Sequence, residues 1–150
     1  MSVSLDKIDR EILIRLQKNA RKSFAEIARE IGVSEATVHI RVKRLRKNGV
    51  IRGFYTILAP EKIGERLTVF ILLKSVPSEY ENVLKEIIKI PKVYEVHDVT
   101  GEYYAIIKAR VRDKEELAQL LDKLGAIKGV TSTETLLVLR TLKEEYTIPL

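Results

Sequence analysis

The chain has 150 residues, no cysteine and a net charge of +6. Without cysteine there are no disulfides, thiolate metal sites or cysteine catalysis, and the longest purely apolar run, Val69–Leu73, is far too short to cross a bilayer. Hydrophobic residues make up 45% and charged residues 32%, the balance of a globular chain rather than a disordered one.

Asp6, Asp9 and Glu11 fall where a signal peptide would be apolar, so a cytoplasmic protein is expected. Abundant Lys, Arg, Glu and Ile, with one Met, is a composition found in thermophiles. The charge is unevenly placed: the segment through Arg52 holds thirteen Lys and Arg against six Asp and Glu, and the remainder fourteen against fifteen. A basic segment beside a neutral one reads as a nucleic-acid module joined to something else.

Leu5, Ile8, Ile12 and Leu16 recur at helical spacing, with Ser4 or Asp6 available as the cap, and this first helix runs out near Asn19. Ser23-Phe24-Ala25-Glu26 has the form of a capping box and opens a second helix with Phe24, Ile27, Ala28 and Ile31 on its apolar face. Gly32 ends it. Only Gly32-Val33-Ser34 separates it from a third helix, capped by Ser34 and ending at Asn48-Gly49. Two helices joined by so tight a glycine turn are the helix-turn-helix signature.

On a helical wheel Val38, Val42 and Leu45 face the core. Ala36, Ile40, Lys43 and Lys47 lie opposite, flanked by Thr37 and Arg44 on one edge and His39 on the other. A recognition helix brings its N-terminal residues to base edges and its later Lys and Arg to phosphates. The candidate DNA-binding residues are therefore Ser34, Ala36, Thr37, His39, Ile40, Arg41, Lys43, Arg44 and Lys47. Ile40, apolar on a charged face, suits a thymine methyl. Arg41, nearer the core face, suits a phosphate or an acid of its own domain. Val50–Leu58 is β-branched and aromatic and predicts a strand, either a wing or a connector, closed by Ala59-Pro60.

Leu5-Asp6-x-x-Asp9, Glu26-Ile27-Ala28, Ile31-Gly32-Val33-Ser34, Val42-Lys43-Arg44-Leu45 and Gly49-Val50-Ile51 together resemble the feast/famine regulators, the Lrp/AsnC family. The resemblance covers essentially the whole chain.

Beyond it, Leu67–Val76 reads as a buried strand, Pro77-Ser78 as a helix start, and Val93–Val99 and Tyr103–Val111 as strands around the turn Thr100-Gly101-Glu102. Asp113 caps a helix ended by Gly125, and Val130–Leu142 is the last strand. The order βαββαβ is ferredoxin-like, and Ile90-Pro91-Lys92-Val93 is echoed by Ile127-Lys128-Gly129-Val130. The predicted fold is α+β. A helix-turn-helix domain spans 1–52, a strand-like linker 53–62, and a ferredoxin-like effector-binding and assembly domain 63–150. An antiparallel sheet with helices on one face leaves the other to be covered, most simply by a second copy, so a homodimer is expected.

The resemblance implies dimers that associate into tetramers or octamers, and an amino-acid effector held in the turn between the middle strands. The matching positions are Asp98, Val99, Thr100, Gly101, Glu102, Tyr103 and Tyr104, with Thr133 and Thr135 lining the pocket and Asp122 reaching it from a neighbouring subunit. Here the loop departs from the family's usual Gly-Asp-Tyr-Asp: it reads Gly101-Glu102-Tyr103-Tyr104.

No enzyme is read here. His97 and Asp98, as strand neighbours, point to opposite faces and form no dyad. No phosphate loop or metal-ligand spacing is present, and neither metal nor cofactor is expected. The expected partner is double-stranded DNA, with no membrane. The expected role is an effector-responsive transcription regulator; the alternative is an architectural DNA-binding protein that needs no ligand.

Overall fold

In the computed structural model, which describes residues 4–150, the first helix starts where Asp6 and Asp9 cap each other; residues 1–3 of the expected 1–52 domain lie outside the described residues. Asp6, not Ser4, is the N-cap of α1 (Lys7–Lys18). The Ser23–Glu26 capping box opens α2 (Phe24–Ile31), and Gly32 ends it in the left-handed conformation at φ 72°. Ser34 caps α3 (Glu35–Lys47). The three helices enclose Ile12, Leu16, Ile27, Ala28, Val38 and Val42, with Ile8, Phe24, Ile31, Val33 and Ile51 packed around them. The wheel's assignment of Val38, Val42 and Leu45 to the core face of α3 holds: all three are buried.

The strand expected over Val50–Leu58 is absent. The amides of Val50 and Ile51 instead donate to the Leu45 carbonyl, at 2.9 and 3.2 Å, and residues 53–59 have no regular structure. Among the described residues no strand lies beside this segment to form a ladder, and Phe54, Tyr55, Ile57 and Leu58 are exposed. Pro60–Ile63 is a 3-10 turn.

The remainder forms β1 (Leu67–Ser75), α4 (Tyr80–Ile87), β2 (Val93–Asp98), β3 (Ala105–Val111), α5 (Lys114–Gly125) and β4 (Val130–Leu137). All neighbours pair antiparallel in the order β2-β3-β1-β4, which is the expected ferredoxin-like arrangement. Val69, Ile71 and Leu73 of β1, with Ala105, Ile107, Ala109 and Val111 of β3, pack against Val83 and Ile87 of α4 and Leu120 and Leu124 of α5.

Several boundaries differ from expectation. The Pro77–Glu79 segment is a 3-10 turn, and α4 proper starts at Tyr80. The third strand begins at Ala105, because Tyr103 and Tyr104 belong to the preceding turn. Gly125 is the last helical residue rather than a left-handed stop. The last strand ends at Leu137 instead of Leu142: Leu137 pairs with Val69, and β1 begins only two residues earlier.

The chain falls into two units, one running through Ile57 and joined by Lys143–Leu150, the other Leu58–Leu142. The C-terminal segment thus returns to the helices. Its anchor is a two-point bond: the Ile148 N–H donates to Gln17 Oε1 at 2.6 Å, and Gln17 Nε2 donates to the Ile148 carbonyl at 3.0 Å.

Candidate nucleic-acid interface and effector loop

The outward face of α3 begins at its cap. Ser34 Oγ accepts the Thr37 N–H at 3.1 Å and lies 2.8 Å from Thr37 Oγ1, so both hydroxyls are held at the end of the helix that would enter a groove. Ala36, His39, Lys43 and Lys47 are exposed. Ile40 stands 68% exposed, apolar among these polar neighbours. His39 is steadied by an edge contact with Phe24, ring centroids 4.6 Å apart, and by Glu35 Oε1 at 3.6 Å.

Beside this face is a cavity of about 450 Å³ with Phe24, Val42, Ile51 and Phe54 as its apolar lining and Lys43, Arg46 and Arg52 at its rim. Among the described residues none of Lys43, Arg46, Lys47 or Arg52 has an acid partner. These cations are therefore available to phosphates. Sequence reasoning missed Phe24, Arg52 and Phe54 as parts of this surface. Arg46 and Arg52 were legible as charge within the basic segment, but the groove between them depends on the path after Gly49.

Arg41 and Arg44 differ from the other α3 cations. Both reach the carboxylate of Asp9 on α1, at 3.3 and 2.5 Å, and Arg41 also bonds Asp6. The Asp9 N–H, and then Arg41, hold the Asp6 carboxyl below the usual carboxylate range.

In the sheet unit the expected effector residues divide between the two faces. Gly101 has φ 122°, a backbone conformation that favours glycine, and open space where a side chain would be. On the helix-covered side, Tyr80 Oη donates to the Tyr104 carbonyl at 3.1 Å and the two rings lie 5.2 Å apart. Burial first, and the nearby Asp98 carboxylate second, push the Tyr80 phenol up to about 12. On the other side Glu102 bonds Lys74, Tyr103 donates to Glu134, and Lys74 Nζ lies 5.0 Å from the Tyr103 ring centre. The Val99 N–H closes the loop on the Tyr104 carbonyl at 3.0 Å, and the Tyr104 N–H ties it to Leu73 of β1.

Thr133 and Thr135 pair with Leu73 and Ile71 and so share the helix-covered face. Thr100 and Asp122 are exposed. Among the described residues no hydrogen bond joins Asp122, Thr133 or Thr135 to the loop. Sequence reasoning missed Lys74, Tyr80 and Glu134; a lysine at the end of an apolar strand was the available signal for the first. Among the described residues no group of three His, Asp or Glu is placed to hold a metal, and no helix is long and apolar enough to cross a membrane.

Comparison with known proteins agrees with both units. Residues 5–52 match the winged helix-turn-helix DNA-binding family, and residues 68–148 match the Lrp/AsnC ligand binding domain. The chain is 41% identical over 150 residues to the HTH-type transcriptional regulator FL11 of Pyrococcus abyssi, covering 100% of this chain and 99% of that one. It is 40% identical over 147 residues to the regulator Ptr1 of Methanocaldococcus jannaschii, covering 97% and 99%. Among solved structures, AsnC of E. coli superimposes with a TM-score of 0.92 at 32% identity, over 98% of this chain and 100% of that one. A transcriptional regulator of Neisseria meningitidis in complex with L-Met gives 0.89 at 28%, over 97% of each. The protein is thus a DNA-binding transcription regulator of the Lrp/AsnC family, with a winged helix-turn-helix followed by a ligand-binding domain.

Proposed function

We propose that the protein is a sequence-specific, amino-acid-responsive regulator whose effector acts through its oligomeric state. The observation that carries the DNA-reading half is the outer face of α3, where small and apolar residues give way to unpaired cations. In this reading Ala36, Thr37, His39 and Ile40 meet base edges, while Ser34, Lys43 and Lys47 meet phosphates. Arg46 and Arg52 extend the phosphate contact along the Phe24–Phe54 groove. A dimer sets two such helices in successive major grooves, about 34 Å apart.

Dimerisation is assigned to the sheet face without helices. Register places Leu136 beside Phe70 and Ile106 beside Leu72 there, an apolar stripe across three strands. Such a stripe suits a second copy, and dimers then associate further. Sedimentation at micromolar concentration should give a dimer or larger; a monomer would contradict the assignment. The effector reading rests on the glycine turn at Gly101 and on the neighbouring polar groups of Asp98, Thr100, Glu102 and Tyr103. By linkage, an effector that changes assembly must bind one assembly more tightly than the other.

One observation favours the ligand-independent alternative. Glu102 and Tyr103 already have partners in Lys74 and Glu134, so a ligand has to displace them. Titration onto the protein's own promoter and onto unrelated duplex, at two salt concentrations with and without amino acids, separates the readings. A regulator should prefer the promoter by roughly 10³ or more and shift with an amino acid. Equal binding to both duplexes with no amino-acid effect supports the architectural role. In the same assay Ile40→Ala should weaken promoter binding more than binding to unrelated duplex; equal loss on both would remove Ile40 from base readout.

A further inference from the structure

The α3 cations divide into two populations. Lys43, Arg46 and Lys47 are exposed and have no acid partner among the described residues. Arg41 and Arg44 are one turn apart and turn back to α1, their side chains 24% and 44% exposed. There they meet Asp9, whose side chain is only 1% exposed.

Asp9 is fully engaged. Its Oδ2 accepts the Asp6 N–H at 3.2 Å and Arg44 Nη2 at 2.5 Å, and its Oδ1 accepts Arg41 Nη1 at 3.3 Å. Asp6 in turn accepts the Asp9 N–H at 2.9 Å and bonds Arg41. Two acids and two arginines thus form a neutral block inside the basic segment, joined to the capping box that starts α1. The residues α3 buries in the core are apolar, Val38, Val42 and Leu45. Apolar contacts secure burial but are not directional. A buried carboxylate gripping two arginines one turn apart sets both the rotation of the helix and its position along its axis.

We propose that Asp9, seconded by Asp6, is a positioning residue for the recognition helix: it withholds Arg41 and Arg44 from phosphates and fixes the angle at which α3 presents Ala36, Thr37 and Ile40 to the bases. The proposal rests on the assignment of α3 as the DNA-reading helix. Sequence specificity then depends on an acid that never touches DNA.

The test follows binding of the full chain to two duplexes over a salt series. One duplex is of random sequence; the other is selected from a random pool by the wild-type protein. Each phosphate contact contributes a slope of about −0.9 in log affinity against log salt. Lys43→Gln should flatten the slope by about one per bound subunit. Arg44→Gln, which leaves Asp9 paired with Arg41, should leave the slope on random duplex unchanged and lower the preference for the selected duplex about tenfold. Asp9→Asn releases Arg44 while Arg41 keeps Asp6, and should steepen the slope on random duplex by up to about one per bound subunit, while again losing preference. Glu11→Gln, an acid of α1 paired among the described residues with Arg15 of the same helix, is the charge-matched control and should do neither.

If Arg44→Gln flattens the slope as Lys43→Gln does, Arg44 is a phosphate contact and the proposal is overturned. Parallel weakening on both duplexes with an unchanged slope in Arg44→Gln and Asp9→Asn would mark a merely structural role and also overturn it. If Lys43→Gln changes nothing, the assignment of α3 to DNA fails first and takes the proposal with it.

Discussion

Ile27→Ala is expected to lower the temperature at which the three helices unfold and DNA binding is lost, while leaving the sheet unit folded. Ile27 is completely buried on α2, in the cluster that also holds Ile12 of α1 and Val38 and Val42 of α3. Removing its side chain takes away buried apolar surface and leaves a cavity the three short helices close only in part, a cost of about 2–5 kcal/mol. A unit of this size holds roughly 3–9 kcal/mol of stability at ~0.05–0.15 kcal/mol per residue, so one substitution removes much of it. The sheet unit has its own core around Ile71, Leu73, Ile107 and Leu124 and shares none of these residues. Calorimetry should show a transition shifted to lower temperature beside one that stays in place, with DNA affinity lost along the first. A single transition moving as a whole would show instead that the two units melt together.

Gly129→Val is the counterpart in the sheet unit. Gly129 sits at φ 102°, and an added Cβ would fall 2.4 Å from the Glu79 Cβ and 3.2 Å from a Val83 methyl. The nearest atom is next to the Glu79 backbone, so the chain itself has to shift. Gly129 also accepts the Val76 N–H at 2.8 Å, and Lys128 beside it pairs with Glu79 at 2.7 Å. Backbone strain of about 1–3 kcal/mol and overpacking of about 1–3 kcal/mol act together. Urea unfolding of the sheet unit should lose about 2–6 kcal/mol. Gly101→Ala has the strain but open space around it, and should cost clearly less. Equal losses for the two would mean that the Glu79 contact relaxes without cost.

Local chemistry explains what was legible in the sequence. The Ser23–Glu26 box, Gly32 and Ser34 each act within four residues, and they sufficed to place the helix-turn-helix. The apolar run of β1, the alternation of β2 and the Asp113 cap between β3 and β4 sufficed for the ferredoxin-like order. What escaped depends on distant partners. The β-branched run after Gly49 has strand propensity but no neighbouring strand to bond. That Arg41 could meet an acid of its own domain was legible from its place near the core face; that the acids are Asp6 and Asp9, with Asp9 shared by Arg44 35 residues away, was not. The Gly101 loop was read as one cluster, yet the turn carries Glu102 and Tyr103 toward Lys74 and Glu134, and Tyr104 toward Tyr80.

The return of Lys143–Leu150 to the helices has a practical side. The sheet unit is in effect inserted between two pieces of the DNA-reading unit, and the last residues of the chain belong to the latter. A tag or fluorescent protein fused after Leu150 would emerge beside Gln17 of α1 and load the Ile148 clasp. Reporters meant to follow effector binding without disturbing operator affinity are better carried on an exposed turn of the sheet unit.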